Sequence, residues 1–185
     1  GKLINLKNKL SALPKLVTLG IGHTRWATHG KPSEQNAHPH ESEQFVLLHN
    51  GIIENFNELK HDLLEKGYKF KSETDTEVAV HLLDEFYKKQ NSSLSSFEKA
   101  KNSIFELVKY IKGAYAFAII CKEVEDTLFV VKYCSPMVIG LGQGENYIAS
   151  GVSAFLEYTK EAIVLEDRDI AIIKSSSVEI LNFDG

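Results

Sequence analysis

The chain has 185 residues, 43% of them apolar, with 21 Lys+Arg against 25 Asp+Glu, two Cys and seven His. That length suits one domain over residues 1–185, able to bury roughly 70% of its unfolded surface without help from a disulfide or metal. A net charge of −4 argues against nucleic acid or anionic membrane as the main partner, and the longest charge-free apolar stretch, Gly113–Cys121, is far shorter than a membrane span.

Residues 16–29 read as an extended segment rich in β-branched and aromatic side chains, followed by a loop marked by Gly30, Pro32, Ser33, Asn36 and Pro39. Phe45–His49 is a short apolar run that ends at the turn signal Asn50-Gly51. Three helices are predicted next. Phe56, Leu59, Leu63 and Leu64 share a helical face, with Asn55 and Glu58 placed to cap it and Gly67 to stop it. Ala79, Leu82, Leu83 and Phe86 form a second face opened by the capping box Thr74-x-x-Glu77. Phe97, Ala100, Ile104, Leu107, Val108 and Ile111 form a third, opened by Ser95-x-x-Glu98. From Ala114 onward apolar runs fall at 114–121, 127–133, 137–142, 146–149, 162–165, 169–173 and 178–181. Their spacing leaves no room for crossover helices, so antiparallel pairing and an α+β fold are expected.

Several residues could carry chemistry. Within His23–Gly30, Arg25 offers a planar fork for a carboxylate beside Trp26 and Thr28, or it is a surface Arg stacked on Trp26. His23, His29, His38, His40 and His49 fall within 27 residues, which invites a metal reading. Against that, no Cys or carboxylate stands at a recognised ligand spacing, and hydrogen-bonded or surface histidines fit as well. His49-Asn50-Gly51 could aim a backbone N–H and the Asn50 amide at one point, as an oxyanion hole requires, or be an ordinary hairpin turn. Asp75, in Ser72–Glu77, suits a helix first turn, and it could equally hold a substrate ammonium; with Arg25 it would grip both ends of an α-amino acid. Gly140-Leu-Gly-Gln-Gly144 mimics a phosphate loop, but flanking strands make it a glycine-rich hairpin. Cys121 and Cys134 read as small buried hydrophobes, and neither builds a secreted disulfide framework, so a soluble, cytoplasmic domain is expected.

The motifs His-Thr-Arg-Trp-Ala-Thr-His-Gly (23–30), Asn-Ala-His-Pro-His (36–40), His-Asn-Gly-Ile-Ile-Glu-Asn (49–55), Ser-Glu-Thr-Asp-Thr-Glu (72–77), Lys-Gly-Ala-Tyr-Ala-Phe (112–117) and Ser-Pro-Met-Val-Ile-Gly-Leu-Gly (135–142) occur in one order. Together they resemble the glutaminase domain of the glutamine:fructose-6-phosphate aminotransferase family, more than the related phosphoribosyl or asparagine-forming enzymes. The resemblance implies a class II glutamine amidotransferase with the N-terminal-nucleophile hydrolase fold, a four-layer αββα sandwich of two antiparallel sheets between helical layers. It also implies that Arg25 grips the glutamine α-carboxylate, that Thr28 and His29 line the same pocket, and that Asp75 takes the α-ammonium. Asn50 and the Gly51 N–H would form the oxyanion hole, and Trp26 would close the ammonia route toward the sugar-binding half. No metal or cofactor is implied; the partners are L-glutamine and L-glutamate, and the sugar-isomerase domains of a longer enzyme.

Family members open with a Cys whose thiol attacks the amide and whose α-amine is the base. Here residue 1 is Gly, and Gly1–Leu16 resembles a stretch well inside the domain. The expectation is an N-terminally truncated glutaminase domain, inactive alone, whose exposed sheet edge favours pairing between copies as a homo-oligomer. Two competing readings are a catalytically dead glutamine- or glutamate-binding module that keeps Arg25 and Asp75, and a metal-dependent hydrolase built on the histidines.

Overall fold

A computed structural model of the chain describes residues 17–24, 31 and 33–185. Among them run β1 (His40–Glu41), β2 (Phe45–Ile53), α1 (Phe56–Glu65), α2 (Asp75–Lys89), α3 (Ser96–Tyr110), β3 (Gly113–Cys121), β4 (Leu128–Tyr133), β5 (Val138–Leu141), β6 (Asn146–Ala149), β7 (Ala162–Val164), β8 (Asp169–Lys174) and β9 (Ser177–Asn182). One sheet has the order β1-β2-β3-β4-β8-β9 and a second the order β6-β5-β7, and every pairing is antiparallel, as the short spacings require.

Alternation along the central strands divides the core in two. Phe45, Leu47, Ile53, Phe117, Ile119, Phe129 and Val131 pack against Leu63, Leu83, Ile104 and Leu107 of the three helices. Leu48, Ala116, Ala118 and Val130 turn the other way and pack with Met137, Ile139 and Leu165 from the small sheet and its flanks. The described residues thus stack a helical layer, the large sheet and the small sheet.

Helix starts follow the capping chemistry with instructive differences. Ser95 and Glu98 make the complete reciprocal box at α3. At α2, Thr74 Oγ1 accepts the Glu77 N–H, but the Glu77 carboxylate reaches past Thr74 to the Lys71 and Ser72 N–H groups at 2.8 and 2.7 Å. Asn55 does not cap α1. Its side chain clamps the end of α3 instead, donating to Tyr110 O and accepting from Lys112 N, both at 2.9 Å. Leu59 and Leu63 are buried as expected, whereas Leu64 is exposed because one residue rotates it about 100° off that face.

The expected stop at Asn50-Gly51 is overturned: β2 continues through both residues to Ile53, in register with β3 down to Gly113. Gly51 makes this feasible. It sits at φ +128°, and a Cβ there would lie 2.0 Å from Ala114 O, so only a residue without one lets the ladder pass. Gly140–Gly144 does form a hairpin between β5 and β6. Cys121 is buried, but Cys134 is exposed, in a turn at φ +61° where its N–H donates to Asp167. Residues 17–24 carry no strand ladder, yet they alternate: Leu19, Ile21 and His23 turn inward while Thr18, Gly20, Gly22 and Thr24 face solvent.

Candidate functional site

The site grows from the open edge of β2. Lys122 N–H donates to Gln44 O, and Glu54 N–H donates to Lys112 O, so the even-numbered residues of this stretch bond toward β3. Antiparallel pairing then turns the odd-numbered N–H groups to the opposite edge. The short β1 covers that edge only as far as Leu47. Beyond it, His49 N–H donates to His38 Nδ1 at 3.3 Å and Ile53 N–H to Asp75 Oδ2 at 2.8 Å. The Gly51 N–H stands between them in the same alternation.

On the helical face, Asp75 opens α2 and is 3% exposed. A carboxylate is favoured there by the helix macrodipole as well as by the Ile53 N–H. His49 Nδ1 stands 3.8 Å from Asp75 Oδ2 and 3.1 Å from Thr76 Oγ1, and Thr76 Oγ1 lies 3.2 Å from His38 Nε2. His40 Nε2 bonds the Thr74 hydroxyl at 2.9 Å. Glu77 ties down the approach to the helix. Burial works against its charge, but His81 at 3.7 Å, the Lys71 and Ser72 N–H groups and the Ser72 hydroxyl together hold its pKa down to about 2.

On the opposite face, Asn50 lines a cavity of about 430 Å³ between the sheets, with His23, Leu48, Met137, Ile148 and Ser150 around it. The Asn50 Oδ1 accepts a 2.5 Å hydrogen bond from His23 Nε2. The His23 ring stacks on His38 with centroids 4.6 Å apart and 29° between planes. His38 therefore touches both halves, His23 on the cavity side and Thr76 on the helical side.

Of the residues read from the sequence, Asn50, Gly51 and Asp75 converge on this edge, whereas Arg25, Trp26, Thr28 and His29 lie outside the described residues. His38 and His40, a candidate metal pair, have ring nitrogens engaged by the His49 N–H and by the Thr76 and Thr74 hydroxyls. Sequence reasoning missed Thr76 and the pairing of His23 with Asn50. The available signal was the alternation that puts His23 on the same side as Leu19 and Ile21. Cys121 pairs with Phe45, five residues along β3 from Ala116, the partner of Asn50, so its thiol is roughly 17 Å away along the strand.

With two antiparallel sheets under a helical layer and an Asn-Gly pair at an open strand edge, the chain belongs to the glutamine amidotransferase domain family, whose signature matches residues 23–157. It is similar to the glutamine–fructose-6-phosphate aminotransferases (isomerizing) of Aquifex aeolicus and Fusobacterium nucleatum, 46% identical over 187 and 186 residues. Those alignments cover 100% of this chain and 30% and 29% of the two relatives, so the chain spans less than a third of their length. The solved structure of the B. subtilis glutamine phosphoribosylpyrophosphate amidotransferase complexed with ADP and GMP superposes with a TM-score of 0.65 at 29% identity. That match covers 87% of this chain and 34% of the other, and the architecture is of the N-terminal-nucleophile hydrolase type.

Proposed function

We propose that this chain is a glutaminase domain, residues 1–185, that releases ammonia from L-glutamine for the amination of fructose 6-phosphate to glucosamine 6-phosphate by sugar-isomerase domains of a longer enzyme. The observation that carries the reading is the open edge of β2, where the Asn50 amide and the Gly51 N–H stand a few residues from the Asp75 carboxylate. Asp75 takes the substrate α-ammonium and Arg25 its α-carboxylate, with Trp26, Thr28 and His29 completing the pocket. A thiol adds to the side-chain amide carbon, and the oxyanion that forms is held by Asn50 Nδ2 and the Gly51 N–H. Collapse expels ammonia and leaves a glutamyl thioester; water then cleaves it, giving glutamate and restoring the thiol.

Cys121 is buried at the far end of β3 and cannot supply that thiol, and Cys134 is held in a turn by its N–H bond to Asp167, so a polypeptide limited to these 185 residues is expected to release no glutamate. In the full-length enzyme, Asn50→Ala is expected to lower kcat for glutamate release by roughly 10²–10³-fold with KM little changed, since one oxyanion donor is lost. Glutamate release indifferent to Asn50→Ala would refute the reading, and glutamine binding without release by the full-length wild type would mark an amino-acid-binding module instead.

A further inference from the structure

We propose that His23 is a positioning residue for the oxyanion hole, with its Nε2–H setting which end of the Asn50 amide faces the reacting carbonyl; this rests on the glutaminase reading above. An Asn side chain can swap its donor and acceptor ends by rotating 180° about its last torsion, at little cost in shape. In one orientation it offers N–H to a developing oxyanion. In the other it presents a carbonyl oxygen, which repels one. The 2.5 Å bond between His23 Nε2 and Asn50 Oδ1 selects between them, because an imidazole N–H can be accepted only by the amide oxygen. The Nδ2 end is thereby turned away from His23, with its two donors to offer.

The neighbouring groups hold His23 in that role. Its ring stacks on His38 at 4.6 Å, and His38 is itself fixed at both nitrogens. His38 Nδ1 must accept, because its partner is the His49 backbone N–H, so a neutral His38 carries its proton on Nε2 and donates to Thr76 Oγ1. The Thr76 hydroxyl in turn lies 3.1 Å from His49 Nδ1 and donates to Asp75 Oδ1 at 3.5 Å. Hydrogen bonds at either end, His23 to Asn50 and His38 to Thr76, joined by the His23–His38 ring stack, therefore link the amide on the cavity face to the first turn of α2, where Asp75 sits. The face of the sheet that fixes the substrate ammonium also fixes, through His38, the group that orients the oxyanion donor.

Steady-state glutamate release by the full-length enzyme tests this in a double-mutant cycle. His23→Leu is expected to lower kcat about 10–100-fold while KM for glutamine stays within about threefold, the signature of an interaction expressed in the transition state. His23→Gln, which can place an N–H near the Nε2 position, is expected to recover most of the loss. In an Asn50→Ala background His23→Leu should change kcat less than about twofold, because the amide it orients is gone. Equal losses in both backgrounds, or none in either, overturn the role. Should His23→Leu fail to fold, nitrogen-15 NMR of histidine-labelled wild type decides: a proton on His23 Nε2 is expected, and an Nδ1–H tautomer contradicts it. A wild type that releases no glutamate overturns the functional reading together with this role. Turnover that is lost in Asn50→Ala but intact in His23→Leu overturns this role alone.

Discussion

The two faces of the large sheet are built from the same strands yet do different work. Toward the helices the core is continuous and aromatic-rich, with Phe45, Phe117 and Phe129 wholly buried. Toward the small sheet it is thinner, relying on Ala116, Ala118 and Leu48, and it leaves the cavity that Asn50 lines. β2 belongs to both. It presents His49 and the Ile53 N–H to the rigid helical side and Asn50 to the open side, with Gly51 at the crossing. The contrast teaches where precision and access come from: the Asp75 carboxylate is embedded in the dense layer, while the Asn50 amide faces the layer that leaves a cavity.

The sharpest way to break this arrangement is at its crossing point. Gly51→Ala sets a Cβ on Ala114 O at a φ unfavourable to L-residues, so a loss of roughly 4 kcal/mol or more, or failure to fold, is expected by chemical denaturation. Next comes the packing contrast. Phe117→Ala, on the helical face, is expected to cost roughly 3–5 kcal/mol, whereas Leu48→Ala, beside the cavity, should cost roughly 2 kcal/mol. Equal losses at the two positions would remove the distinction between the layers.

A smaller effect is tied to pH. The folded-state pKa of Glu77, about 2, lies below its ordinary value of 4.5, so its carboxylate contributes stability that is fully present above about pH 4.5 and lost as pH falls toward 2. The contribution is at most about 3 kcal/mol. Thermal melts should therefore show Glu77→Gln less stable than wild type at pH 7, with the gap closing below pH 4.5. A gap that stays constant with pH would mean the loop from Lys71 to Thr74 does not depend on that charge.

Much of this architecture was legible because it is local. Ser95 with Glu98, Thr74 with Glu77, and the apolar spacings of three helices all act within a few residues. What could not be read depends on distant partners. Nothing near Asn50-Gly51 reveals that β3 will pass close enough at Ala114 to turn a hairpin signal into the middle of a strand. Asn55 has the residue type and position of a cap, but Tyr110 and Lys112, 55 and 57 residues away, offer its amide two bonds. The site showed the same division. Asn50, Gly51 and Asp75 stand in recognisable motifs, while the histidines could be read only as hydrogen-bonded or metal-binding groups of unspecified partners, since His23 meets Asn50 and His38 meets Thr76 across the edge of β2.

The central claim is that one substrate spans that edge, with its ammonium at Asp75 and its side-chain carbonyl at Asn50 and Gly51. A crystal structure of the full-length enzyme with L-glutamate bound tests it most directly. The expected result is an α-ammonium within hydrogen-bond distance of the Asp75 carboxylate and a γ-carboxylate oxygen within reach of Asn50 Nδ2 and the Gly51 N–H. Glutamate bound away from β2, or lying with its γ-carboxylate out of reach of Asn50, would contradict it.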